Sequence, residues 1–141
     1  MGLSELVVAP AGDAERIGQA AEPASEFGGI DIEGIDTVKF GTLHSILTGR
    51  SFEELLSEYD PVVTVSDDGP WVFRIPSDLV SRLATVSDEE KQVAVREWAA
   101  TEEFELDGWP SNEVAQAFDG IASLARKAED AGHSLFLWIS L

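Results

Sequence analysis

The sequence predicts an α+β fold, a single acidic domain over residues 1–141 in which a layer of helices packs on a small mixed or antiparallel sheet. Three observations lead to this fold class. Capping residues followed by apolar residues three and four apart recur between residues 36 and 131. Two runs rich in β-branched and aromatic residues flank a cluster of turn formers in mid-chain. The last residues form an apolar strand, and 141 residues suit one domain.

The first elements are a strand over residues 3–9 and a short helix. The apolar centre of residues 3–9 favours the strand. Asp13 is the expected N-cap of the helix, which runs to about Ala21. Pro23 is expected to stop this helix, and the composition of residues 22–29 predicts a loop.

A longer helix follows, with Asp36 as its N-cap and Gly49 as its C-cap. Phe40, Leu43 and Leu47 recur at helical spacing within it and predict one buried face. These signals agree at both ends and in the middle, so the helix is well specified.

The middle of the chain predicts a short helix and a hairpin. Ser51 is the expected cap of the helix, and its Leu56 is expected to face inward. Residues 62–65 and 71–75 are strand formers, and the turn formers of residues 66–70 connect them. We therefore expect a β-hairpin here.

The last third predicts three helices and a strand. Ser77 begins the first helix, and Ser87 with Glu90 forms a capping box for the second. Ser111 is the expected cap of the third. Its apolar stripe consists of Val114, Phe118, Ile121, Ala125 and Ala128. Residues 135–139 are apolar at both odd and even positions, which predicts a central strand buried on both faces.

The charge balance is extreme, with 27 acidic residues against 9 Lys and Arg and a formal net charge of −18. A polyanion repels phosphate, so no nucleic-acid partner is expected. The same field attracts basic proteins, which makes a basic protein the favoured partner. The alternative is that the acidity only confers solubility or reflects an acid-rich proteome.

The composition also bears on the compartment. The chain has no cysteine, which excludes disulfides and thiolate metal sites. Glu5 stands where a signal peptide carries basic residues, and no apolar stretch reaches the length of a membrane span. We therefore expect a cytoplasmic protein that does not associate with membranes; its oligomeric state is left open.

The inventory of reactive groups is thin. His44 and His133 are the two histidines. His44 lies on the same helix as Phe40, at the border of the apolar face, and no second histidine is spaced to form a helical zinc site. No catalytic residue, metal ligand or cofactor is predicted, so a non-enzymatic role is favoured. The alternative is a pocket around His44 with a carboxylate such as Asp36.

The candidate binding residues are aromatic and acidic side chains. Trp71 and Trp109 adjoin prolines in turns and are candidate anchors for a partner. The alternative is that both plug the ends of the core. Glu102, Glu103 and Glu105 belong to the densest acidic group, which is either a docking surface for a basic partner or a solvated helix end.

Residues 35–49 resemble a known family. Phe40, Leu43-His44 and Leu47-Thr48-Gly49 are similar to the aromatic, Leu-His and Leu-Thr-Gly positions of the YfbM-like bacterial family of unknown function. An acid that this family often carries before its aromatic residue falls near Thr37, where the match is imperfect. The resemblance implies an α+β fold and adds interest to His44, but it implies no activity.

These observations favour a non-catalytic cytoplasmic interaction protein, one that neutralises a basic partner as acidic immunity proteins of bacterial toxin systems do. Two alternatives stay open. One is a small-molecule-binding or hydrolytic domain with a pocket around His44. The other is a structural subunit of a homo-oligomer.

Overall fold

The computed structural model describes residues 3–141 and confirms the α+β fold class. The strands are β1 (Leu3–Ala9), β2 (Ile30–Asp31), β3 (Val63–Thr64), β4 (Trp71–Arg74) and β5 (Ser134–Ser140). The helices are α1 (Ala14–Gln19), α2 (Pro23–Phe27), α3 (Thr37–Thr48), α4 (Phe52–Leu55), α5 (Ser77–Ala84), α6 (Asp88–Ala99), α7 (Glu102–Asp107) and α8 (Ser111–Ala131). Two 3-10 turns, Ala11–Asp13 and Leu56–Tyr59, complete the described elements.

The strands form one antiparallel sheet in the order β2-β1-β5-β4-β3. β5 lies at its centre and pairs with β1 from Leu3↔Ser140 to Ala9↔Ser134. Successive side chains of a strand point to opposite faces. Leu135 and Leu137 are buried on one face and Phe136 on the other. The prediction of a central strand buried on both faces is confirmed.

The larger core lies between one face of the sheet and helices α3, α5, α6, α7 and α8. Every residue of the apolar stripe predicted on α8 is fully buried in it. α5 packs against α8, and its residues Leu79, Val80 and Leu83 are buried as well. Burial of whole aliphatic side chains is the main stabilising contribution here, at about 1.5–3 kcal/mol for each one.

The opposite face of the sheet carries a second, smaller layer made by α1 and α2. Ile17 of α1 packs with Val7, Val72, Phe136 and Trp138. This cluster explains why β5 is apolar at both odd and even positions. The sheet is therefore covered by helices on both faces, unequally.

Two of the predicted helix starts are confirmed in detail. The Asp36 carboxylate accepts a hydrogen bond from the Lys39 backbone N–H at 3.0 Å, and α3 ends at Gly49 in the left-handed conformation. Ser87 and Glu90 form both bonds of the capping box that begins α6. The predicted hairpin is also present, with β3 and β4 paired through Val63↔Val72.

The loop predicted over residues 22–29 is wrong, because α2 begins there at Pro23. A proline suits the first position of a helix, where its missing N–H costs nothing and its φ is already helical. The Glu5 carboxylate accepts a hydrogen bond from the Ala24 N–H at 2.8 Å, and Gly28 ends the helix in the left-handed conformation. The side chain that caps α2 therefore belongs to β1, a strand that lies outside the local sequence of the helix.

Other local predictions also differ. Asp13, Ser51 and Ser111 form no side-chain capping bond, and the N-cap of α8 is Pro110. Leu56 is 51% exposed, because the chain tightens into a 3-10 turn after α4 and turns this side chain outward. Across residues 3–141 no helix combines the length and the apolar character needed to cross a membrane.

Candidate functional site

His44 lies at the centre of a buried hydrogen-bond network. α3 directs it inward, and its side chain has no solvent exposure. Its Nδ1 is 2.9 Å from the Tyr59 hydroxyl, and its Nε2 is 3.0 Å from Asp78 Oδ2. Burial and the nearby Asp78 charge raise the pKa of Tyr59. The tyrosine therefore keeps its proton and donates to Nδ1, and the Nε2–H donates to Asp78.

Asp78 connects this imidazole to the protein surface. Partial burial acts to raise the pKa of Asp78, but hydrogen bonds from His44 and Arg50 outweigh it and the net shift is downward. The Arg50 guanidinium lies 2.9 Å from Asp78 Oδ2 and also pairs with Glu58. Hydrogen bonds to these two carboxylates raise the pKa of Arg50. We call these five residues the His44 network.

The His44 network joins α3, α5 and the 3-10 turn Leu56–Tyr59. The carboxylate beside His44 is Asp78 and not Asp36, which caps α3 instead. Five cavities formed by residues 3–141 are each lined by residues other than His44. A general base must come within hydrogen-bond reach of its substrate. In this arrangement both ring nitrogens are engaged, and the buried imidazole holds three segments together.

Lys39 is another buried polar residue, and it is not among the site residues predicted from the sequence. Its Nζ donates to the Gly34 carbonyl at 2.6 Å and forms an ion pair with Asp107. The ammonium also lies over the rings of Phe104 and Trp109, 5.0 and 5.6 Å from their centroids. A lysine is normally expected at the surface. Only its place on α3, next to the buried Phe40, hints otherwise.

The structure places the predicted aromatic anchors on different elements. Phe40 is fully buried in the larger core. Trp71 is half-buried in β4, where it packs over Gly69. Trp109 is half-buried in the connection between α7 and α8, where it packs edge-on against Phe104, with 5.1 Å between ring centroids. Trp109 is thus a structural contact of Lys39 and remains accessible in part.

The predicted acidic residues lie on α7. Glu102 and Glu105 are exposed, and Glu103 is half-buried. All three are in the first turn of the helix, where negative side chains interact favourably with the helix dipole. Among the described residues none of them forms an ion pair. Their charge is therefore available to a partner.

An acidic groove lies beside Trp109, between β2 and the start of α8. It is open to solvent, with a volume of about 470 Å³. The carboxylates of Asp31, Glu33 and Glu113 line it together with the Trp109 indole. Ile30 belongs to its apolar wall, and no Lys or Arg lines it. We call it the β2–α8 groove. Its walls come from segments that are distant in sequence, so no local pattern predicts it.

The acidic side chains of the described residues are not arranged as a metal site. Within residues 3–141, no three His, Asp or Glu side chains are grouped closely enough to hold a metal ion. The three carboxylates of the β2–α8 groove do not form such a group.

No family model, curated protein or solved structure shows significant similarity to this chain. The resemblance of residues 35–49 to the YfbM-like family therefore stays a prediction, and function has to be argued from the residues themselves.

Proposed function

We propose that this chain is a non-catalytic binding protein that recognises a basic protein partner through its acidic surface. One observation carries the proposal. The carboxylates greatly outnumber the basic side chains and lie mostly exposed, whereas the imidazole of His44, which is bonded to Tyr59 and Asp78, is fully buried. The described part of the chain thus presents abundant negative charge for contact, and the nitrogens of its buried imidazole are both engaged.

Internal ion pairs leave most of this negative charge uncompensated. Among residues 3–141, five of the nine Lys and Arg side chains form ion pairs, each with one or two carboxylates. The 27 acidic residues far exceed what these pairs consume. Unpaired carboxylates occur on several elements, for example Glu53 and Glu54 on α4 and Glu102 on α7.

A field of this sign has two consequences for a binding protein. It accelerates the encounter with a basic protein, because the attraction acts before contact is made. It also opposes nucleic acids, whose phosphates carry the same charge. We propose that the partner is neutralised by the contact, in the manner of an immunity protein, and that this occurs in the bacterial cytoplasm, a reducing compartment that suits a cysteine-free chain.

The small-molecule or hydrolytic alternative needs a cavity at His44. Tyr59 and Asp78 occupy both ring nitrogens of this histidine. With both nitrogens engaged and the ring buried, no observation favours this second function.

The proposal is tested by affinity capture followed by reconstitution. The protein is immobilised and exposed to a lysate at about 50 mM and about 300 mM NaCl, since this range shortens the Debye length by about 2.4-fold. A captured basic protein is then purified, and its affinity for the chain is measured by calorimetry. We expect saturable binding of defined stoichiometry that weakens as salt rises. Failure of every purified candidate to bind at low salt, or a catalytic turnover abolished by H44A, would overturn the proposal.

A further inference from the structure

The β2–α8 groove differs from a flat acidic surface because it is concave and has both acidic and apolar walls. Asp31, Glu33 and Glu113 stand along an apolar wall, and no basic side chain lines the groove to compensate them. Glu33 and Glu113 are exposed and form no ion pair with a described residue. An occupant that pairs with them must bring its own positive charges.

Trp109 supplies the aromatic component of the groove. Its ring is held in place by Phe104 on one side and by contact with Gly34 on another. A fixed indole offers a surface on which a guanidinium stacks or the aliphatic stem of a lysine packs. Lys39 lies nearby, but Asp107 already pairs with its ammonium, so this cation does not cancel the carboxylates of the groove.

The border of the groove is a sheet edge. β2 is the outermost strand and pairs only with β1 among the described strands. Edge strands offer backbone groups to an extended segment of another chain. The carboxylates of the groove come from two segments, Asp31 with Glu33 from one and Glu113 on α8 from the other, so an occupant that contacts both needs more than one basic side chain.

From these features we infer that the β2–α8 groove is the docking site for an extended, Arg- and Lys-rich segment of the partner. Basic side chains of the segment pair with Glu33 and Glu113, and one of them packs on Trp109. This inference rests on the proposed function and deepens it by naming the surface and the chemistry of what it holds.

The test uses the full chain and a defined probe, a peptide of alternating arginine and glycine, with a glutamine–glycine peptide as its uncharged match. Calorimetry measures affinity for the wild type and for two double variants, E33Q/E113Q in the groove and E53Q/E54Q on α4. Both variants remove the same charge from exposed first-turn or loop positions. Circular dichroism verifies that each variant folds.

We expect the arginine peptide to bind and the glutamine peptide not to bind. E33Q/E113Q should weaken binding about fivefold or more, since two exposed ion pairs are lost, and E53Q/E54Q less than about twofold. Equal weakening by the two variants would overturn the groove as the docking site. The proposed function would then stand, with binding spread over the acidic surface. The groove is also overturned if the peptide fails to bind while a purified basic partner does. If neither binds, the proposed function itself fails.

Discussion

The ion pair between Lys39 and Asp107 is unequal, because the side chain of Lys39 is 3% exposed and that of Asp107 is 52% exposed. Removing one member therefore has different consequences from removing the other. Without Lys39, the Asp107 carboxylate is solvated by water. Without Asp107, the ammonium keeps only the Gly34 carbonyl and two aromatic rings. Burying a charge without its partner is costly.

We predict that D107A destabilises the protein by about 1–3 kcal/mol, and that K39M, which keeps an apolar side chain of similar length, costs less. Urea unfolding measures both. In the double variant K39M/D107A the penalty of D107A should largely disappear, because no charge remains to be compensated. Additive effects of the two substitutions would show that the charge is not the cause.

The His44 network predicts a dependence of stability on pH. The folded-state pKa of Asp78 lies below its ordinary value of 3.8, so the folded state releases this proton more readily than the unfolded state does. Stability from this group is complete above about pH 4 and is lost as the pH falls through the folded pKa. The variant D78N cannot titrate at this position, so the amount by which the urea midpoint of the wild type exceeds that of D78N should shrink as the pH falls from about 4 to about 2.

The difference in stability between the wild type and D78N should depend on pH. At neutral pH the wild type should be the more stable protein, because only an ionised Asp78 accepts charge-assisted bonds from both His44 and Arg50. In acid the two proteins should converge. A constant difference between them across this range would contradict the assignment of the proton to Asp78.

Sequence reasoning identified His44 as a residue of interest, but it did not find the partners of this residue. Asp78 and Tyr59 are 34 and 15 positions away along the chain, so no local spacing relates them to His44. Lys39 was missed for a different reason: residue type alone predicts exposure for a lysine. Both cases depend on tertiary contacts, which a pattern of local residues does not contain.

At the scale of single elements, α6 and α8 can be compared, because a serine is the predicted N-cap of each. Ser87 accepts a hydrogen bond from the Glu90 backbone N–H and belongs to a complete capping box. The pKa of Glu90 is lowered by hydrogen bonds from Ser87 and Arg82. Ser111 was predicted to cap α8 in the same way, yet it forms no such bond.

We predict that S87A destabilises the protein by about 1 kcal/mol and that S111A changes its stability by less than about 0.5 kcal/mol. Thermal or urea unfolding of the two variants gives the comparison directly. A loss of similar size in both would mean that serine matters at these positions for a reason other than the side-chain cap.

Elements were predictable where several local signals agreed. α3 has a cap at each end and a regular apolar face between them, and α8 has a long stripe. α2 was missed because it has only five residues, and its N-terminal N–H is satisfied by Glu5 from a strand. β2 was missed because two residues carry no periodicity. Short elements are stabilised mainly by their neighbours.

At the scale of the whole molecule, the net charge of −18 should oppose the folded state through mutual repulsion. Salt screens this repulsion, and it also weakens the surface ion pairs, which are worth only about 0–1 kcal/mol each. The repulsion among many unpaired acids should dominate. We predict that stability rises by on the order of 1 kcal/mol between low and about 0.5 M NaCl, as measured by urea unfolding. A decrease would mean that ion pairs outweigh repulsion.

The fold class and the central position of β5 followed from the sequence, because an apolar run buried on both faces leaves few other places for a strand. The division of the helices into a large and a small layer did not follow, since it depends on which face each connection crosses. The candidate groove was unpredictable for the same reason.

The longest ladder of the sheet joins β1 to β5, so its two strands come from nearly opposite ends of the described chain. During synthesis β1 is made before β5, and it lacks this partner until the whole segment between the two strands has also been made. Its apolar residues Leu6 and Val7 then lack their final cover. Closing so large a loop is entropically expensive, which delays the cooperative step. Chains interrupted before β5 should accordingly be prone to aggregate. Their abundant negative charge opposes this aggregation, because like-charged chains repel one another.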